Sequence, residues 1–264
     1  MPAKQKNKIS LFMDKIAAEV INMPHWEPSI TYRKTGLDIV TDTDIKIENF
    51  IKKSIEREFP DHSILSEEKV NIIKQENNPD SGLWIIDPID GTINFAAGMP
   101  LFGISIAYLE IGKAILGRII LPKFKSIYKV QNNSNSYKNG KIISVSNRDL
   151  QNAVIGITLT SHFSVEEINK TLEVIRLLSN KTRGIRIIVS ESLELAWIAE
   201  GILDGSICVK SDIFGAAAGK LLIEKAGGIV TNFDNDDFLS KPENIIASNG
   251  AIHDKLLKIV ENIF

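Results

Sequence analysis

The sequence predicts a mixed chain: an N-terminal α+β half over residues 1–150 and a C-terminal α/β half over 151–264, packed together without a tether. Three observations predict it. Apolar residues recur at helical spacing early in the chain, at Ile9, Phe12, Met13, Ile16, Ala17, Val20 and Ile21 and again at Ile45, Ile47, Phe50, Ile51 and Ile55. From Leu101 to Val130 apolar runs alternate with breaks at Gly112, Gly117 and Pro122, as in consecutive antiparallel strands. From Ala153 onward strand-like and helix-like stretches alternate, and no internal repeat or linker intervenes.

Each element has a local reason. The first helix ends near Pro24; Thr43 or Asp44 can cap the second, and Pro60-Asp61 ends it. Ser63-Ile64-Leu65-Ser66 reads as a short strand feeding Glu67-Glu68, and the polar stretch 69–82 as a surface loop. Asn139-Gly140 marks a hairpin, because both residue types tolerate the positive φ angles of a type I′ turn. Ala153 to Leu159 is a strand. Ser164, with Glu167 three residues on, opens a helix through a capping box. A helix over Leu193 to Ala199, a strand at Ile207-Cys208-Val209, a helix to Ala226, a Gly227-Gly228 break and a strand to Val230 follow. Ile245-Ile246-Ala247 forms a last strand before a terminal helix.

Composition narrows the class. The 264 residues are 44% hydrophobic and 24% charged, as in a soluble globular protein. A net charge of −2 provides no global basic field to hold nucleic acid or an anionic membrane. Cys208 is the sole cysteine, which excludes an internal disulfide and a cysteine-based zinc site and fits a reducing cytoplasm. No apolar run reaches membrane-spanning length, and the basic start lacks a secretory apolar core, so a cytoplasmic protein is expected.

Chemistry concentrates in Trp84-Ile85-Ile86-Asp87-Pro88-Ile89-Asp90-Gly91-Thr92-Ile93-Asn94-Phe95. An apolar strand ends in two carboxylates around a proline. Carboxylates crowded together repel unless a cation lies between them. Hard divalent cations take such oxygen ligands and keep room for a substrate phosphate. Gly91 and Thr92 add backbone N–H groups and a hydroxyl where a phosphate can sit. The plain alternative is an acidic turn, since Asp, Pro and Gly are ordinary turn residues. Taken alone, Glu67-Glu68 reads as a solvated surface and Asp44 as a helix cap.

The string Asp87-Pro88-Ile89-Asp90-Gly91-Thr92-x-Asn94-Phe95 resembles the signature of the inositol monophosphatase family, among the Mg²⁺-dependent, Li⁺-inhibited phosphatases. Leu37-Asp38-Ile39-Val40-Thr41-Asp42-Thr43-Asp44 resembles a second family string. Further matches in family order are Ile185-Arg186, Leu193-x-Leu195-Ala196, Gly201 with Asp204-Gly205, and Ala217-Ala218-Gly219 with Ala226-Gly227-Gly228. The resemblance implies a layered αβαβα fold, a homodimer (with Trp197 a candidate contact) and Mg²⁺ as cofactor. It implies that Glu67, Asp87, the Ile89 carbonyl and Asp90 hold metal, and that Gly91 and Thr92 hold phosphate. Asp44 would bond to Thr92 and help a water lose its proton. Position 190, in the family's Gly-Ser step, and position 208, where a sugar-binding glutamate commonly stands, make Ser190 and Cys208 candidates for substrate contact.

Three positions depart from that pattern. The aspartate of a Trp-Asp-x-Ala-Ala-Gly motif completes the family's second metal site, but Phe214-Gly215 stands there. The Gly-Ser step reads Val189-Ser190, and the sugar-binding glutamate falls on Cys208. Asp212 is the nearest acid to Gly215 and a candidate substitute; its plainer reading is the N-cap of the following helix. Two functions follow. One is a Mg²⁺-dependent phosphomonoesterase acting on inositol 1-phosphate or a related small sugar or polyol phosphate. The other is a weakly active or inactive binding or regulatory protein that keeps the fold.

Overall fold

The computed structural model describes residues 3–24, 26–27, 31–33, 39–67, 69–73 and 82–264. The chain begins with α1 (Ala3–Ile21), β1 (Thr31–Arg33), β2 (Ile39–Thr41), α2 (Asp42–Glu58), β3 (Ser63–Ser66), β4 (Lys69–Ile73), β5 (Leu83–Asp90) and α3 (Thr92–Ala96). The meander β6 (Gly103–Glu110), β7 (Lys113–Leu121), β8 (Ser126–Gln131), β9 (Ser136–Lys138) and β10 (Lys141–Ile143) follows. Then come β11 (Val154–Ile157), α4 (Val165–Leu178), β12 (Gly184–Arg186), α5 (Glu191–Ala199), β13 (Gly205–Cys208), α6 (Ile213–Lys225), β14 (Ile229–Thr231), β15 (Ile245–Ser248) and α7 (His253–Val260).

An eight-stranded sheet has the order β10-β9-β8-β7-β6-β5-β3-β4, antiparallel except for the β3–β5 pair. A five-stranded sheet has the order β12-β11-β13-β15-β14, with β11 parallel to both its neighbours. Successive side chains of a strand point to opposite faces, so single strands reveal the layering. On β7, Gly117 faces Ala218 of α6, while Arg118 points the other way to Ser10 and Asp14 of α1. On β13, Gly205 faces Leu256 of α7, while the Ser206 hydroxyl donates to Glu194 of α5. The stack therefore runs α1/α2, sheet, α5/α6, sheet, α4/α7, which is the expected αβαβα arrangement.

This explains why β5 reads as a continuous apolar run. Trp84 and Ile86 pack with α1 and α2, Ile85 packs with α5 and α6, and none of the three is accessible. A strand covered on both faces has no polar side to alternate. Asn139 and Gly140 carry φ angles of 47° and 79°, as the β9–β10 hairpin requires. Ser164 caps α4 through a capping box with Glu167.

Several local expectations change. Thr41, not Thr43 or Asp44, is the N-cap of α2; Asp44 is the third helical residue and bonds back to the Thr41 amide in a reciprocal capping box. Ile45 is exposed rather than on the buried side, because the buried stripe is Ile47, Ile51 and Ile55. Within the stretch read as a loop over 69–82, residues 69–73 form β4, paired to β3; residues 74–81 lie outside the described residues, as do Leu37, Asp38 and Glu68. Trp197 is half-buried and meets Phe124 edge-on at 5.6 Å.

Candidate active site

Five elements meet at one cleft of about 300 Å³: the end of β5, the ends of β11 and β13, and the starts of α5 and α6. Its lining includes Glu67, Asp87, Ile89, Asp90, Gly91, Thr92, Ser190, Glu191, Cys208, Asp212 and Gly215. Every candidate residue except Asp44 thus lines the same space, and Asp44 stands directly behind Thr92.

The turn after β5 is built by Gly91. Its φ is +89°, and a Cβ there would lie 3.0 Å from Leu101 O and from Ser190 Cβ. A side chain fails on both counts, left-handed backbone and close approach. As N-cap of α3, Gly91 leaves the first amides of that turn without partners inside the helix. Asn94 ties the turn to the opposite wall, donating from Nδ2 to Leu101 O at 2.8 Å and Ile188 O at 2.7 Å.

Thr92 Oγ1 lies 2.9 Å from Ile89 O and 3.3 Å from Asp44 Oδ1. Asp44 is wholly buried; its Oδ2 accepts from the Thr41 amide at 3.0 Å and from the Thr41 hydroxyl. Burial lifts the Asp44 carboxyl above its ordinary value, and the bonds from Thr41 and Thr92 hold it partly down.

Asp87 is 4% exposed, and its Oδ1 has no hydrogen-bond partner. Its carboxyl is held well above the ordinary range, first by burial, then by the charges of Glu67, Asp90 and Asp212. An orphaned buried carboxylate oxygen among other carboxylates lacks one thing, a cation. Among the described residues no three acidic, histidine or cysteine side chains close around a single point. The donor set is all oxygen and suits a hard divalent ion.

Asp90 is the most heavily bonded of the set. Its Oδ2 accepts from Ser190 Oγ at 2.7 Å, Ser192 N at 2.7 Å and Ser192 Oγ at 2.6 Å; Oδ1 accepts only Glu191 N, at 3.1 Å. Oδ1 therefore keeps capacity for another partner. Ser190 is buried and spends its hydroxyl on Asp90, so it orients this carboxylate. Val189 holds φ at +60°, a left-handed conformation that β-branched residues adopt only under strain.

Asp212 caps α6, its Oδ1 accepting Phe214 N at 2.8 Å, and its carboxyl still borders the cleft. Partial desolvation there raises its pKa, with Asp90's charge adding to it. Cys208 is buried, donates to Lys210 O at 2.9 Å, and has its thiol pushed far up by burial and by Glu191. It is a neutral, hydrogen-bonded wall rather than a nucleophile.

Sequence reasoning missed Glu191, Thr158, Thr160, His162 and Lys210, which also line the cleft. Nothing marked them: an acid in the first turn of a helix is ordinary, and residues after β11 reach the site only through the sheet order.

The inositol monophosphatase family model matches residues 11–264. The fructose-1,6-bisphosphatase/inositol-1-monophosphatase of Thermotoga maritima is 35% identical over 243 residues, covering 91% of this chain and 90% of that one. The Pseudomonas aeruginosa protein called Nus factor SuhB is 30% identical, covering 86% and 84%. Among solved structures, a Thermotoga maritima IMPase superposes with a TM-score of 0.83 at 33% identity, covering 98% of each chain. An IMPase/NADP phosphatase complexed with Mg²⁺ and phosphate superposes at 0.78 with 26% identity, covering 97% of this chain and 95% of that one. Fold and site thus define a metal-assisted phosphatase scaffold. The chain belongs to the inositol monophosphatase family.

Proposed function

We propose that this protein hydrolyses a phosphate monoester of a small sugar or polyol, inositol 1-phosphate foremost, with Mg²⁺. The observation that carries this reading is the Thr92 hydroxyl, 3.3 Å from the buried Asp44 carboxylate and on the same turn as Asp87 and Asp90. Glu67, Asp87, Asp90 and the Ile89 carbonyl are the groups that would hold the ion, with Asp212 beside them. Bound there, Mg²⁺ supplies Lewis acidity and positive charge to the reacting phosphate.

The chain's own groups do the rest. Glu67 and Thr92 orient a water for in-line attack on phosphorus, the ester P–O bond breaking opposite it and the sugar or polyol leaving as its alcohol with a proton from solvent. Thr92 passes its proton toward Asp44, whose burial makes it a stronger base than an exposed carboxylate. Amides of Gly91 and Thr92 meet the phosphoryl oxygens. Ser190 fixes Asp90, and Cys208 forms the neutral side of the substrate space. Lys210 and the His162 imidazole at the rim suit a substrate with a second anionic group, which keeps fructose 1,6-bisphosphate and 3′-phosphonucleotides beside inositol 1-phosphate. The lone cysteine fits a cytoplasmic setting, and the exposed Phe124 beside Trp197 offers an apolar contact for a homodimer.

The test is phosphate release from a panel of these esters with Mg²⁺ titrated to high concentration. At least one sugar or polyol phosphate should be turned over only with Mg²⁺, and Thr92→Ala or Asp44→Asn should lower kcat by about 10²–10⁴. The missing carboxylate at Gly215 favours a second reading, a binding or regulatory protein. Tight phosphate-ester binding without release at any Mg²⁺ level would establish that one instead.

A further inference from the structure

We infer that Glu191, on the first turn of α5, supplies the carboxylate that Gly215 lacks, so that the cleft holds a second divalent cation beside Asp90. The inference rests on the reading of the cleft as a divalent-cation site. Gly215 has space for a Cβ. That Cβ would lie 3.4 Å from Glu191 Cβ, 3.6 Å from Glu191 Oε2 and 3.7 Å from Asp90 Oδ1. A side chain on residue 215 would therefore start in contact with both Glu191 Oε2 and Asp90 Oδ1. The acid has moved from α6 to α5, while its destination beside Asp90 is the same.

Glu191 is also held for the purpose. Ser211 Oγ lies 2.7 Å from Glu191 Oε1 and 3.0 Å from Oε2, which fixes the side chain across the cleft from α5 to the turn before α6. Asp90 presents Oδ1, the oxygen its serine partners leave open, and the Glu191 amide braces it at 3.1 Å. The independent pointer to a ligand is Asp87: 4% exposed, lining the same cleft, its Oδ1 without a hydrogen-bond partner among the described residues. Asp212 is the weaker candidate, because its Oδ1 is committed to capping α6.

The test counts ions rather than turnover. Mn²⁺ alone is titrated into the full chain, with free Mn²⁺ read by electron paramagnetic resonance and folding checked by circular dichroism. Wild type should bind two ions. Glu191→Gln should keep one and lose or weaken the second by at least about tenfold, the scale expected when one charged ligand is removed. Asp212→Asn should retain two. Glu191→Ala with Gly215→Asp should regain the second ion, which separates lost ligation from lost folding. Two ions at wild-type affinity in Glu191→Gln, a single ion in wild type, or loss of the second ion in Asp212→Asn would each overturn the assignment to Glu191. No Mn²⁺ binding by wild type would overturn the metal-site reading itself.

Discussion

At the scale of single residues the site is a balance between crowded acids and the groups that hold them. Asp87→Asn should abolish Mg²⁺-dependent hydrolysis and leave the metal-free protein as stable as before or more so, because it removes a buried carboxyl crowded by Glu67, Asp90 and Asp212; paired rate and urea-melt measurements check both halves. Val189→Gly should stabilise the fold by about 1 kcal/mol, since the left-handed backbone strains valine and suits glycine; an unchanged urea midpoint would contradict the strain. Glu194 offers a pH test. Burial and the Asp90 charge push its pKa up to about 7, the Ser206 hydroxyl offsetting part of this. A carboxyl whose folded pKa is raised binds its proton more tightly when folded, so stability falls as pH rises from its unfolded value of about 4.5 to about 7. In chelator, wild type should lose on the order of 3 kcal/mol through this group across that window, and Glu194→Gln should flatten the slope by about one proton. The residues legible by themselves in the sequence were those packed into one short string, Asp87 to Asn94; Asp44, Glu67, Ser190 and Cys208 came only through the family resemblance. Glu191 and Glu194 were not, because their partners, Ser211 and Ser206, lie elsewhere in the chain and adjacency in space leaves no mark along it.

Elements divide in the same way. The helices α1, α4 and α7 and the hairpin at Asn139-Gly140 could be read because each carries a local reason: an amphipathic stripe, a capping box, a turn pair. The start of α2 was misread by two to three residues because Thr41, Thr43 and Asp44 all suit a cap, and only the reciprocal bond between Thr41 and Asp44 decides among them. Strand β4 was missed because its pairing partner β3, not its own composition, makes it a strand. Packing between elements rests on specific small or buried groups. A Cβ on Gly219 of α6 would lie 2.5 Å from Leu195 Cδ1 and 2.6 Å from Leu195 Cβ on α5. Gly219→Ala, which in an exposed helix would add up to about 1 kcal/mol, should here cost about 1–3 kcal/mol through overpacking. Arg118 of β7 has no exposed surface, pairs with Asp14 at 2.8 Å and bonds Ser10, Gly117 and Val130. Arg118→Ala should cost about 2–4 kcal/mol by leaving those acceptors without a donor. Denaturant titrations of the two variants test both losses.

Over the whole molecule, the order of layers was implied by family resemblance and could not be derived from periodicity, since a strand buried on both faces and a short buried helix look alike in sequence. One core runs from Ile85 and Ile119 of the first sheet through Leu195 and Ala218 to Ile155 and Ile246 of the second. A homodimer would double the chain mass in light scattering at micromolar concentration, and a monomer mass would remove that proposal. The middle position of α6 has a consequence of its own. Its segment Gly215–Ile223 is buried throughout, with Ala218 against Gly117 of one sheet and neighbours in β14 and β15 of the other. Its amides can meet deuterium only when both sheets separate, so they should exchange last and together, at the rate of global unfolding. A centre so closed keeps time for the entire chain: the slowest isotope uptake in α6 is a clock for the lifetime of the fold.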